Sequence, residues 1–297
     1  MAAFLGLSLL WGSEWILTSS LPAQPRLRAL ALQYGISAAL LLPWVIRRRL
    51  WRRSLRCIAH VVIIGTGILC LPQILIFASN GKLSPVFFLI ALATVPVLLA
   101  IGGRLTISPA VCGLAGVLFL CNQGLDIAMR QSLWLLLPLT AACVLACALV
   151  GAEVHMQEIS LVEALFVQCL VAAPLLWIAS QLLEHQALTW SAMAATGFVV
   201  NAALTTVCGY LLFYWLLSKF GAGRVSMLQW MQPLVATAES VVLMHAKPDW
   251  TVIAGAILIV IAILWVFSNR DEEGEYSLRL LKVGDPQSVV RISYSVE

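Results

Sequence analysis

The chain has 297 residues and a formal net charge of +4 at pH 7; 61% of its residues are hydrophobic and only 11% are charged. Its mean hydropathy is +0.96. This composition excludes an ordinary water-soluble domain, because helices that are apolar on every face need an apolar surround. It also excludes a β-barrel, since barrel strands are short segments of alternating polarity and the apolar runs here are long and continuous.

Ten apolar runs follow one another along the chain, and a helix that crosses a bilayer needs about 20 such residues. Turns that carry proline, glycine, asparagine or charged residues separate the runs. In chain order the predicted spans are 2–19, 28–46, 58–79, 84–103, 107–125, 132–151, 159–182, 191–217, 223–246 and 249–268. The sequence therefore predicts an all-α membrane protein with ten transmembrane helices.

The basic residues predict the orientation of these spans, because cytoplasmic loops are enriched in lysine and arginine. The turn after the second span carries a cluster of arginines: Arg47, Arg48, Arg49, Arg52, Arg53 and Arg56. Placing this turn in the cytoplasm puts most of the 18 basic residues on that side. Both termini are then cytoplasmic, and the polar segment 269–297 is a cytoplasmic tail.

Two stretches of the chain indicate an internal repeat. Residues 84–119 and 221–264 each contain a span with an internal proline, a polar turn, a second proline and a span with glycine. The repeats would be 1–125 and 132–268, with five spans each. An odd number of spans forces the second copy to enter the membrane in the opposite direction, which gives the inverted repeats of many secondary transporters.

Four short motifs occur in a fixed order along these repeats. They are Leu10-Trp11-Gly12-Ser13, Gly221-Ala222-Gly223-Arg224-Val225-Ser226, Gln232-Pro233 and Gly255-Ala256. Together with the layout of five plus five spans, they resemble EamA-type carriers of the drug/metabolite transporter superfamily. The resemblance implies export of amino acids, other small metabolites or drugs, through a cavity lined by spans 1, 3, 4, 6, 8 and 9.

The chain departs from that family at two places. The family often carries Gly-Glu at the end of spans 4 and 9, where this chain has Gly103-Arg104 and Ala246-Lys247. The substrate of any one relative is therefore not assigned to this chain.

Two carboxylates lie inside predicted spans, where a charged side chain costs about 2.5–3.5 kcal/mol at the bilayer centre. Glu14 lies in the first span and Glu239 in the ninth. Residues of this kind normally face the interior of a helix bundle or a water-filled cavity. We predict that Glu239 and Glu14 bind substrate or take up protons.

Polar side chains at helical spacing predict which helix faces line the cavity. One stripe occurs on each of spans 1, 3, 8 and 9, and all four spans are among those that the resemblance places around the cavity. The predicted substrate-binding residues are Trp11, Glu14, Trp15, Gln73, Asn80, Asn201, Gln229, Gln232 and Glu239.

A purely structural role is the alternative for these residues. Small polar side chains commonly join membrane helices by hydrogen bonds, and we interpret Thr205 and Cys208 in this way. Both interpretations stay open for Gln73, Asn80 and Asn201. Tryptophans also anchor helices at the membrane interface, so Trp11 and Trp15 either form an aromatic wall for substrate or serve as anchors.

The predicted function is that of a secondary transporter. It would move a small metabolite, such as an amino acid, a related polar or amphipathic compound or a drug, across the inner membrane, with export implied by the resemblance. No phosphate-binding GxxxxGK[ST] motif occurs, and no catalytic residue, metal or cofactor is predicted.

The expected partners are a small-molecule substrate, the lipid bilayer and, as an open question, a second copy in a homodimer; no nucleic acid is expected. Two alternatives remain. One is an integral-membrane enzyme that modifies lipids or isoprenoids, which would usually show clustered acidic or histidine residues near one interface. The other is a membrane partner protein that transports nothing.

Overall fold

The computed structural model describes residues 2–13, 24–48, 54–79, 82–83, 85–122, 132–245 and 248–268. Within these ranges the chain is helical and forms no extended strand, which confirms the all-α prediction there. The helices are α1 Ala2–Gly12, α2 Arg26–Arg48, α3 Leu55–Ala78, α4 in two pieces Pro85–Ala93 and Val95–Ile101, α5 Ile107–Leu120, α6 Leu136–His155, α7 Leu161–Leu183, α8 Ala192–Ser226, α9 Leu228–Met244 and α10 Trp250–Ser268.

Six helices in the described ranges are long and apolar enough to cross a membrane. They are α2, α3, α6, α7, α8 and α10. Helices α1, α4 and α5 are apolar but shorter, and α9 has 17 residues. The protein is thus a multi-pass membrane protein, and the count of ten spans stays a prediction. The ends predicted for the first and fifth spans, at residues 19 and 125, and the tail 269–297 lie outside the described residues.

Polar caps mark where several helices begin. The first amides of a helix have no partner within it, and in lipid such groups must be satisfied by the protein itself. At the start of α7, the Ser160 side chain accepts a hydrogen bond from the Glu163 amide, and the Glu163 carboxylate accepts one from the Ser160 amide. Serines also cap the starts of α3 and α8.

Two helices are interrupted by a wider π-helical turn. The turn lies at Thr66–Cys70 in α3 and at Ala202–Cys208 in α8. A π-turn shifts the backbone hydrogen-bond register and is frequent at functional sites. Helix α4 is also broken, at Thr94, just before Pro96, because proline has no amide hydrogen to continue the helix.

The most extensive helix contacts join α2 to α7 and α5 to α10. The second pair meets at two glycines. A methyl group added to Gly116 would lie 2.8 Å from the Gly255 carbonyl oxygen, and one added to Gly255 would lie 2.6 Å from the Gly116 carbonyl oxygen. The two backbones therefore touch directly, as small residues permit between membrane helices.

Side-chain contacts group the helix ends into two sets, named here for the predicted orientation. At the inner end, Phe4 of α1 packs on Phe220 of α8 and on Phe267 of α10. His60 of α3 stacks on His155 of α6, with ring centroids 4.2 Å apart. The outer end contains the start of α2, the end of α7 and the segment that follows α7.

The junction between α8 and α9 was predicted as a break between residues 217 and 223, and the structure has its break within that interval. The hydrogen-bonded turns of α8 run on to Ser226 and α9 begins at Leu228, but the helical backbone is interrupted before Ser226. The break is a single residue, Gly221, with φ 75° and ψ 169°. Glycine adopts a positive φ at little cost, so the chain turns at one residue and resumes helical geometry, which a hydropathy pattern does not reveal.

A buried carboxylate fastens the start of α2 to the end of α7. Oε1 of Glu184 accepts a hydrogen bond from the Leu27 amide at 2.7 Å, and Oε2 accepts one from the Arg28 amide at 3.0 Å. The Arg28 side chain returns to Ser180 and to the Gln186 carbonyl oxygen. An acidic side chain at a helix start satisfies free amides and the helix dipole together.

Replacing Glu184 with alanine is expected to lower the free energy of unfolding by about 1–2 kcal/mol, the usual cost of losing an N-terminal cap. The thermal midpoint of the purified protein in detergent is the measurement. Gln186→Ala is the matched control, because this neighbouring side chain is exposed and only its backbone carbonyl contacts Arg28. Equal midpoints for the two variants would contradict the capping role.

Candidate functional site

The last turn of α1 is held against the π-turn of α8. Nε1 of Trp11 donates a hydrogen bond to the Thr205 carbonyl oxygen at 3.1 Å. The indole sits against Gly209, where an added methyl group would lie 2.6 Å from Nε1. Its ring also packs on Tyr210 and Phe213, with centroids 5.1 and 5.4 Å away. The half-buried Trp11 is therefore an aromatic contact between α1 and α8.

The same turn of α1 is joined to α9 through Glu239. The Ser13 hydroxyl donates a hydrogen bond to Oε1 of this half-buried carboxyl group. One residue earlier, a methyl group added to Gly12 would lie 2.5 Å from a side-chain carbon of Val235. The absence of a side chain at Gly12 thus lets α1 approach α9 closely, one helical turn before Glu239.

The π-turn of α8 also contacts α2, through a cluster of buried polar side chains. Nε2 of Gln33, on α2, donates to the hydroxyls of Thr205 and Thr206 at 2.9 Å each. The Ser37 hydroxyl lies 3.2 Å from the Ala202 carbonyl oxygen. Asn201 is 5% exposed, and its Oδ1 has no hydrogen-bond partner among the described residues. A buried acceptor of this kind can receive a hydrogen bond from a bound molecule.

The predicted site residues fall into three groups. Trp11, Glu239 and Asn201 lie on the helices that meet at the last turn of α1. Gln229 and Gln232 are half-buried on the same helix as Glu239. Gln73 lies apart at the outer end, where its Oε1 is 3.5 Å from Nη2 of Arg26. Glu14, Trp15 and Asn80 lie outside the described residues.

Sequence reasoning missed three of the residues that build this region. Ser13 lies next to a predicted site residue but was not assigned to the site, and Gln33 and Ser37 lie on a span to which no function was given. The signal that could have identified the latter two is their spacing, since two polar residues four positions apart in an apolar span share one helix face. Thr205 joins helices, as its structural interpretation implies.

Comparisons with known proteins agree with this architecture. Residues 132–268 match the EamA-like transporter family. Over this part, which is the second predicted repeat, the chain is similar to that family. It is also 22% identical over 291 residues to the uncharacterized transporter YoaV of Bacillus subtilis (strain 168), with 91% of this chain and 98% of that protein covered. A crystal structure with 18% sequence identity has the same fold, with a TM-score of 0.72 over 88% of this chain and 95% of that chain.

These similarities support a membrane transporter. The matched segment begins just before α6 and ends with α10. It therefore includes the π-turn of α8 and the half-buried polar residues of α9, but not α1, which contributes Trp11 and Ser13.

Proposed function

We propose that this transporter is a secondary carrier with ten spans in two inverted five-helix repeats, 1–125 and 132–268, and with both termini in the cytoplasm. Three features support the repeat. The π-turns occur in α3 and α8, the third helix of each half. The pairs α2–α7 and α5–α10 join corresponding helices of the two halves. Gly116 and Gly255 make reciprocal contacts where the latter pair crosses.

The substrate we propose is a small polar or amphipathic metabolite, such as an amino acid, a related compound or a drug. Glu239 carries this proposal, because a half-buried carboxyl group inside an apolar bundle marks substrate or proton pathways. It lies on the helix that also presents the half-buried amides of Gln229 and Gln232, and it is joined to α1 through Ser13.

The proposed roles follow from the chemistry of these side chains. Glu239, together with Glu14, binds substrate or takes up protons, and the amides of Gln229 and Gln232 orient the substrate. Trp11 supplies an aromatic surface, and the free Oδ1 of Asn201 accepts a hydrogen bond. Export across the inner membrane is the proposed direction. We propose that the remaining predicted residues, Trp15, Gln73 and Asn80, lie at the outer part of the pathway. The homodimer stays a prediction.

Reconstitution into proteoliposomes tests this function. We expect at least one compound among amino acids, nucleosides and aromatic compounds to cross faster than in protein-free liposomes, and a proton gradient to change its rate. A chain that lacks residues 270–297 should transport equally well, because the proposed pathway lies within the helices. Transport of none of these compounds, or its loss on removal of the tail, would contradict the proposal.

A further inference from the structure

An ion pair joins the turn between α4 and α5 to α6 at the inner end. Nη1 of Arg104 lies 2.9 Å from Oε2 of Glu153, and the two side chains are 27% and 26% exposed. We call this pair the inner bridge. Fully exposed ion pairs contribute little to stability because water and salt screen them. The inner bridge is partly buried, so removing one partner leaves the other charge less well solvated than it would be at an open surface.

The end of α8 passes directly against both members of the inner bridge. A methyl group added to Gly221 would lie 3.0 Å from Oε1 of Glu153, and one added to Gly223 would overlap the Arg104 carbonyl oxygen. The positive φ angles of Gly103 and Gly221 shape the two turns that meet here. The α4–α5 turn, α6 and the end of α8 therefore meet at the inner bridge.

The outer end carries a counterpart. There the hydrogen bond between Ser13 and Glu239, which we call the outer bridge, joins α1 to α9 beside the close approach of Gly12 to Val235. In the proposed repeat, α1 corresponds to α6 and α9 corresponds to α4. The two bridges thus join corresponding helix pairs at opposite ends of the bundle.

We infer that the inner bridge is a latch that holds the inner end closed and that the outer bridge is its counterpart at the outer end. This inference rests on the proposed function, because a carrier opens at one end at a time. The inner end opens when Arg104 and Glu153 part and the α4–α5 turn leaves the glycines of α8. Weakening the inner bridge shifts the population toward the state open at the inner end.

The accessibility of a reporter cysteine at the inner end tests the latch without any substrate. Ala152 is 2% exposed, precedes Glu153 and lines a small cavity with Tyr214 and Leu217, so the sulfur of Ala152→Cys has room. The full-length protein is placed in lipid nanodiscs, where both faces meet a charged, water-soluble maleimide. Mass spectrometry then separates alkylation at position 152 from that of the native cysteines.

Arg104→Gln and Glu153→Gln are each expected to raise the alkylation rate at position 152 about fivefold, which corresponds to about 1 kcal/mol. The double variant Arg104→Glu with Glu153→Arg should restore a slow rate, because it re-forms the pair with exchanged charges. Lys219→Gln is the matched control, since it removes an exposed positive charge at the same end outside the bridge. Ser13→Ala weakens the outer bridge and should slow alkylation.

Unchanged rates in both single variants, or failure of the charge exchange to restore a slow rate in a protein that is still monodisperse, would overturn the latch. The result is independent of the transport screen. A rate that responds to the bridge while no compound is transported would leave the latch standing and overturn the proposed function. Transport of a compound together with an alkylation rate that does not respond to the bridge variants would support the proposed function and overturn the latch.

Discussion

Glu239→Gln is expected to lower the initial rate of transport about tenfold and to remove its response to a proton gradient. The amide has nearly the shape of the carboxyl group and can still accept the hydrogen bond from Ser13, so the contact between α1 and α9 is kept. What disappears is the negative charge and the ability to take up a proton. A hydrogen bond to a charged group contributes about 1.5–3 kcal/mol, and 1.4 kcal/mol is tenfold in affinity.

The measurement is the initial rate in proteoliposomes with and without a proton gradient, for whichever compound the screen identifies. Asp249→Asn is the matched control, because it removes an exposed carboxylate at the outer start of α10. Ser13→Ala separates the hydroxyl from the carboxylate, since it leaves the charge of Glu239 in place. A Glu239→Gln protein with the normal rate and the normal response to the gradient would refute the role of this residue.

Trp230→Ala is expected to be the most destabilising single truncation in the helix bundle. Trp230 has no exposed surface and is the largest fully buried side chain among the described residues. Its Nε1 donates a hydrogen bond to the Ala93 carbonyl oxygen at 3.0 Å, and its ring occupies the space left by Gly113, where an added methyl group would lie 2.6 Å from it. One side chain thus joins α9 to α4 and α5.

Removing this ring leaves a cavity, and large-to-small substitutions of tryptophan cost about 3–5 kcal/mol in protein cores. We expect about 3 kcal/mol, because in lipid the transfer of apolar surface from water does not contribute between helices. The thermal midpoint in detergent should fall by several degrees. Trp215→Ala is the control, since Trp215 on α8 is 43% exposed. The thermal midpoint of Trp230→Phe should lie between those of Trp230→Ala and Trp215→Ala. Equal midpoints for Trp230→Ala and Trp215→Ala would contradict the prediction.

The positions of most helices could be predicted from the sequence, because transfer of apolar residues into lipid depends on local composition. Helix α7 shows this, since its predicted limits of 159 and 182 lie close to the observed Leu161–Leu183. The half-buried position of Glu239 was also foreseeable, because an apolar helix with one polar stripe turns that stripe away from lipid.

Other features could not be read from local patterns. Hydropathy does not report which helices meet, so the pairing of Ser13 with Glu239 and of Arg104 with Glu153 was not predicted. The amino-acid composition of the π-turns in α3 and α8 does not distinguish them from an α-helix, because the same residues are acceptable in both. The single-residue break at Gly221 was predicted too broadly for a related reason, because the residues after it are helical.

By itself, the sequence determined that this protein is helical and lies in a membrane, because only segments that satisfy their own backbone hydrogen bonds are stable in lipid. Its motifs also indicated the resemblance to EamA-type carriers. The tertiary structure alone decided which side chains meet, namely Trp11 with the π-turn of α8, Ser13 with Glu239, and Arg104 with Glu153 beside the glycines of α8. These contacts depend on close approaches between helices far apart in sequence, which are governed by complementary shape at single glycines rather than by hydrophobicity.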